Sequence, residues 1–146
     1  MKKIHIIKNL LVVLGLLLVL LSCNEASEPP FQSDCDQDVI VSEKEYENAP
    51  KDHVVINGIS IHGDCLKITF AASGCDGKSW VVKLIDVGMI AESYPVQRTL
   101  RLSVENKEMC DAFIEKEISF DIRKLQVEGN NKVSLNVAGK SILYEY

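Results

Sequence analysis

From residue 53 onward, apolar and polar residues alternate in short runs, the two-residue period of a strand with one buried face. Leu66, Ile68, Phe70 and Ala72 alternate with Lys67, Thr69 and Ala71, and Leu100, Leu102 and Val104 with Thr99, Arg101 and Ser103. Ile118, Phe120 and Ile122 follow the same rule, as do Val133, Leu135 and Val137. The stretch SWVVKLIDV, Ser79 to Val87, is more continuously apolar, as a more central strand would be. HVVINGISI before these runs and SILYEY at the end complete the set, with Val39–Val41 as a short extra strand. Turn signals separate them: His62-Gly63-Asp64, Gly74-Cys75-Asp76-Gly77, Glu128-Gly129-Asn130-Asn131 and Ala138-Gly139-Lys140. Seven or eight short strands spaced in this way predict an all-β domain over residues 38–146. The expected form is an antiparallel β-sandwich of immunoglobulin-like topology, with an open β-barrel as the alternative. Cys65 and Trp80 have an immunoglobulin-like spacing, but Cys110 sits in the polar loop NKEMCD with no tyrosine two residues before it. Trp80 is therefore expected to be ordinary core.

The start of the chain follows a different rule. Lys2, Lys3 and Lys8 precede an unbroken apolar run of twelve residues, Leu10 to Leu21. A bilayer-spanning helix takes about 20 residues, whereas a secretory signal core has the length seen here. The run ends in Leu20-Leu21-Ser22-Cys23, which resembles a bacterial lipoprotein signal, although Leu21 stands where a small residue is usual. The resemblance implies cleavage after residue 22, a diacylglyceryl group on the Cys23 sulfur and acylation, such as by palmitate, of its amine. Residues 23–37 would then be an acidic tether. Two or more acyl chains anchor a protein stably where one does so marginally.

Charge narrows the partners. The whole chain carries −5, and the signal holds three of the sixteen basic residues and no acid, so the remainder carries −8. Nucleic acid rewards clusters of Lys and Arg and is not an expected partner. Anionic lipid would repel such a chain, so contact with the membrane is expected only through the lipid.

With Cys23 lipidated, Cys35, Cys65, Cys75 and Cys110 remain, an even number that suggests two disulfides in an exported domain. Strand direction chooses the pairs. Cys65 begins a strand and Cys75 follows it, which separates them by about 33 Å, far beyond the reach of a bridge. If strands alternate in direction, Cys110 falls in a loop at the same end as Cys75. If Val39–Val41 runs down toward the start of His53–Ile61, Cys35 falls at the end that bears Cys65. The expected bridges are Cys35–Cys65 and Cys75–Cys110.

Several segments resemble a group of small, uncharacterised envelope lipoproteins of Bacteroidota. They are GDCLKITF at Gly63–Phe70, VKLIDVG at Val82–Gly88, ESYPVQRTLRLS at Glu92–Ser103, and KEISFDIRKLQVEGN with the final ILYEY. The resemblance implies an outer-membrane, lipid-anchored location, on the periplasmic or the cell-surface face, and brings no established activity. Asn24-Glu25-Ala26-Ser27-Glu28 loosely resembles the signals that send such lipoproteins to the surface.

Candidate chemistry is sparse. Asp34, Asp36, Asp38, Ser42 and Glu45 stand at positions 1, 3, 5, 9 and 12 of an EF-hand loop. However, Val39 occupies the position that needs glycine, and Glu28-Pro29-Pro30-Phe31 cannot supply the incoming helix. The stretch is better taken as the joint between tether and domain. His53, beside Asp52, and His62, before Gly63-Asp64, are expected to be exposed at strand ends. No GxSxG, HExxH or phosphate loop is present, so neither an enzyme nor a cofactor is implied. Asp76 and Asp111 flank the second bridge and are expected to solvate its loops, where a carboxylate could also satisfy loop amides. The loop GMIAESYPV, at one end of the sandwich, is expected either to fold over the end of the core as a loop or short helix or to place Met89, Ile90 and Tyr94 where recognition often occurs, with Arg98 and Arg101 beside it to face water or meet an acidic partner. The expected function is a non-enzymatic binding or structural module of the envelope, one that binds a protein or glycan or helps a neighbouring complex assemble. The alternative is a small hydrolase, or a hydrolase inhibitor with Gly88–Val96 as its projecting loop.

Overall fold

The computed structural model describes residues 34–51 and 53–146. Residues 1–33, which include the expected signal, Cys23 and most of the expected tether, and Asp52 lie outside the described residues. Nine strands follow in chain order: β1 Gln37–Asp38, β2 Ile40–Val41, β3 Val55–His62, β4 Cys65–Gly74, β5 Val81–Ala91, β6 Val96–Glu105, β7 Ala112–Asp121, β8 Lys132–Val137 and β9 Lys140–Glu145. A six-residue helix, α1 (Glu43–Asn48), separates β2 from β3, and a 3-10 turn, Arg123–Leu125, follows β7.

Two sheets form, in the orders β1-β7-β4-β3 and β2-β5-β6-β8-β9. The alternating residues of both inner faces meet in one core that includes Leu66, Ile68, Phe70, Leu84, Leu100, Leu102, Phe120, Val133 and Leu135. Trp80 joins it, its ring centroid 6.1 Å from that of Phe70. This is the expected sandwich, not a barrel. In β3 the core-facing phase shifts from Ile56 to Ile59 and Ile61, and a bulge between Ile56 and Gly58 absorbs the extra residue.

The sheets are mixed rather than purely antiparallel. β1 with β7, β2 with β5, and β6 with β8 are parallel pairs. For β6 and β8 the reason is topological: β7 lies between them in sequence but belongs to the other sheet, so β8 returns in the direction of β6. The first strand differs from expectation in direction. With the β3–β4 turn at the top, β4 descends and β7 rises. β1 and β2 also rise, alongside β7 and β5. The chain passes from one sheet to the other at Val39, which is buried and donates its N–H to Asp121 O at 3.1 Å.

Ser42 then turns the chain. Its hydroxyl accepts from Glu45 N at 3.2 Å, the N-cap interaction that starts α1. The Ser42 and Glu45 of the calcium-like spacing are thus helix-start residues. The helix packs on β5, over the face opposite Leu84, which explains why Ile85 is also fully buried and why the β5 sequence is continuously apolar. Residues 49–54 return to the start of β3.

The bridges join Cys35 to Cys65 and Cys75 to Cys110, with Cα separations of 5.6 and 4.8 Å. Cys35 reaches the top in spite of the reversed strand because β1 pairs only with the last residues of β7, Phe120 and Asp121. The second bridge ties the two crossovers between sheets, β4 to β5 and β6 to β7, at the bottom.

Candidate functional site

The segment Gly88–Val96 is mostly strand. β5 continues to Ala91 and β6 begins at Val96, so the loop is the tip of a hairpin. Asp86 pairs with Leu100 and Ile90 with Arg98, so Val87, Gly88 and Met89 together oppose the single residue Thr99. Gly88 takes a φ of 84°, a left-handed conformation that suits glycine. Asp86 continues the core-facing phase of Val82 and Leu84 and is fully buried. Its Oδ1 accepts from Gly88 N at 2.8 Å and from Arg98 Nη1 at 2.9 Å.

Arg98 is therefore not a surface group beside the loop. It continues the inward phase of Leu100 and Leu102, and its charge is held by Asp86 inside the sandwich. Arg101 is also committed elsewhere. It donates to the carbonyls of Tyr46, Ala49 and Pro50 and lies 5.0 Å from the Tyr46 ring centroid, holding the end of α1 against the outer face of β6. Burial raises the Asp86 carboxyl above its ordinary range, against the pull of the Gly88 amide and Arg98. Asp86 Oδ2 and Arg98 Nε are buried without a protein partner.

Above this pair the hairpin presents apolar side chains to solvent. Met89 is 61% and Tyr94 87% exposed, and Ile90 is exposed beside them. Local bonds stiffen the tip: Ser93 Oγ donates to Pro95 O at 2.7 Å, and Gln97 Nε2 to Ser93 Oγ at 3.0 Å. Lys132 Nζ lies 4.9 Å from the Tyr94 ring centroid.

The opposite end holds a cluster that pattern reading did not find. The Glu108 carboxylate accepts from the consecutive amides of Cys75, Asp76 and Gly77 at 2.6, 3.2 and 3.0 Å, and from Ser79 Oγ at 2.7 Å. A turn of successive N–H groups is an anion-binding nest, and here the anion belongs to the chain. The Ser79 hydroxyl and these amides hold Glu108 at about 2. Of the two aspartates that flank the bridge, Asp76 satisfies one loop amide, Lys78 N, at 2.9 Å. Glu108, which the sequence pattern does not single out, satisfies the other three. A Cβ on Gly74 would come within 2.6 Å of Glu108 Oε2 and 2.7 Å of Trp80, so this position requires glycine. Glu108 lies 31–33 residues beyond the amides that it binds. The only sequence signal was the turn Gly74-Cys75-Asp76-Gly77 itself.

The acidic stretch is divided among separate partners. Asp36 accepts from the Ser119 amide and hydroxyl at 2.8 and 2.6 Å, which lowers its carboxyl below the ordinary range. Asp38 pairs with Lys124 at 2.8 Å, and Glu45 Oε2 lies 3.4 Å from Lys83 Nζ. Asp34 is exposed. His62 ends β3 and His53 lies just before its start. At about 3.3 Å per residue this places them well over 20 Å apart, too far to share a site. Among the described residues no group of three or more His, Cys, Asp or Glu is placed to hold a metal. In the final ILYEY, Tyr144 is buried, donates to Asp64 Oδ1 at 2.5 Å and accepts from Gln126, and burial with Asp64 pushes it to about 12.

This fold has known counterparts. A protein of unknown function, DUF1344, from Bacteroides vulgatus superposes with a TM-score of 0.53 at 15% identity, over 75% of this chain and 56% of that one. A NigD-like immunity protein from Bacteroides caccae does so with a TM-score of 0.55 at 12% identity, over 74% and 58%. The chain spans less than two thirds of the length of either structure. No protein-family model and no curated protein matches the sequence. The class is thus a two-sheet β-sandwich of a form found in Bacteroides proteins, and identities at this level establish the fold alone.

Proposed function

We propose that the protein is a lipid-anchored component of the bacterial envelope that works by binding a protein partner rather than by catalysis. The hairpin is its contact surface. The observation that carries this reading is a tip on which Met89, Ile90 and Tyr94 face solvent while the strands beneath are fixed by a buried ion pair. Exposed, contiguous apolar side chains usually mark a contact site, and a pre-organised support reduces the ordering cost of binding. One fold neighbour is named as an immunity protein, and a binding role is in keeping with that name.

Cys23 at the end of the signal-like segment supports the lipid anchor. Metabolic labelling with a palmitate analogue tests it: label should enter the wild type and be lost in Cys23→Ser. The binding surface is tested by capture from native membranes with the wild type and the variant Met89→Ser, Ile90→Ser, Tyr94→Ser. Reduced capture of the same partner by a variant with an unchanged melting temperature supports the hairpin. Equal capture overturns it.

A further inference from the structure

β6 outruns its neighbour β8. The two pair from Val96 to Leu100, where β8 ends at Val137, while β6 continues to Glu105. No strand lies on that side of Arg101–Glu105, so this half of β6 has a free edge of backbone N–H and C=O groups. The segment after α1 lies against the same half: Pro50 O accepts from Ser103 Oγ at 2.9 Å, and Ala49 O from Arg101 Nη1 at 3.3 Å. Between this segment, the free edge and the β8–β9 turn is a cavity of about 600 Å³. Its floor is core, because Ile56, Leu100 and Leu102 line it and are buried. Its rim is basic. Lys51 and His53 are exposed there, with Arg101 in the same wall. No acidic side chain is among its described lining residues, although the chain has 21 Asp and Glu. Among the described residues neither Lys51 nor His53 has an ion-pair partner. The Arg101 charge meets only the carbonyls of Tyr46, Ala49 and Pro50 and the Tyr46 ring, and its Nε is buried without a partner.

We propose that this cavity binds a small amphipathic carboxylate, an acyl or aryl acid. Its apolar body lies on Ile56, Leu100 and Leu102, and its carboxylate turns to Lys51 and His53. Small-ligand sites are commonly cavities of about 300–1,000 Å³ with an apolar lining and a few polar groups that fix orientation. The charge on the rim selects the ligand. A neutral ligand would leave Lys51 and Arg101 without a counter-charge, and an inorganic anion would leave the apolar floor wet. A carboxylate with an apolar body satisfies both, and hydrogen bonds from charged donors are the stronger kind. Arg101 acts from the wall, adding positive potential while it holds the segment after α1. The hairpin tip contributes nothing to this lining, so the site stands whether or not the hairpin binds a partner.

The test titrates isotope-labelled full-length protein with phenylbutyrate or octanoate and follows amide shifts by NMR. Phenylbutanol, octanol and acetate are the comparison probes. Either acid should shift the amides of Lys51, His53, Leu102 and Gly139 together, with one dissociation constant. Each comparison probe should bind at least tenfold more weakly, since one loses the charge-assisted hydrogen bonds and the other the apolar body. Lys51→Gln with His53→Gln should weaken both acids at least tenfold at an unchanged melting temperature, and Lys51→Arg should keep most of the affinity. Equal binding of acid and alcohol would leave only an apolar notch, and equal binding of acetate only a basic surface. Either result overturns the proposal. So does the absence of saturable shifts at these amides, or unchanged affinity in the double variant. The comparison among probes uses the wild type, so it decides even if the double variant loses stability.

Discussion

The two ends of the sandwich solve the same problem in opposite ways. Each presents apolar side chains beyond the core, and each is held by a carboxylate. At the top the carboxylate is inside. Asp86 is fully buried, and its pair with Arg98 leaves Oδ2 and Arg98 Nε without protein partners. At the bottom the carboxylate lies over the surface, and Glu108 is surrounded by donors. Burial raises the first carboxyl, and hydrogen bonding lowers the second to about 2. A buried pair gains little net stability but is costly to break, whereas a well-donated surface carboxylate is favoured in its charged form. The top is therefore specified by a charge pair that must not be halved, and the bottom by a clamp and a covalent bond.

The sharpest way to break the comparison is to halve the top pair. Arg98→Ala leaves Asp86 buried without its cation and should destabilise by about 3–5 kcal/mol, measured by urea unfolding. Replacing both residues by leucine should recover much of that loss, because the uncompensated charge is gone. A double variant as unstable as the single one would mean that the pair itself, and not its integrity, supports the hairpin.

The bottom should tolerate the loss of its covalent tie better. Replacing Cys75 and Cys110 by alanine removes a bridge with a sequence separation of 35 residues, an expected loss of about 2–4 kcal/mol. The Glu108 clamp should survive, visible as continued protection of the Cys75–Gly77 amides from hydrogen exchange. Loss of that protection would make the bridge, not the carboxylate, the organiser of the loop.

Acid separates the two carboxylates by the sign of their effect. Glu108 has a folded value of about 2, below the ordinary glutamate value of about 4.3. Its contribution is complete above that ordinary value and is lost as pH falls toward 2. Asp86 is raised, so the penalty for its charge is relieved over the acid range as pH falls. The wild type should therefore lose melting temperature relative to Glu108→Gln between about pH 4.3 and 2. Parallel curves through that window would rule out the clamp.

How much of this was legible depended on range. Alternation at Leu66–Ala72 and Leu100–Val104 was enough to place strands, and strand direction was enough to choose Cys75–Cys110; Cys35–Cys65 was the right pair from a first strand expected to run the opposite way. Local patterns misled where a tertiary partner decided the outcome. Ser42 and Glu45 had calcium-loop spacing, but the same three-residue step is that of a helix N-cap, and Asp86 O and Lys83 occupy the groups around it. Arg98 reads as a charge on a strand until the bulge at Val87–Met89 sets Asp86 beside it across twelve residues. The rise of β1 and β2 was hidden because two-residue strands carry no pattern of their own. Glu108 meets its amides only through the crossover topology. Only one projecting loop, Gly88–Val96, is legible from the apolar pattern; the loop from Asn106 to Cys110 is held by contacts with residues more than thirty positions away.

The smallest expected effect on stability is also the one that separates contact from core. Met89, Ile90 and Tyr94 are exposed, and surface substitutions of this kind usually change stability by no more than about 0.5 kcal/mol each. Serine at each position should therefore leave the unfolding midpoint nearly unchanged. A large loss at the hairpin would mean that its apolar side chains complete the core over the Asp86–Arg98 pair. Stability kept while partner capture falls would mean that they are held out for a partner.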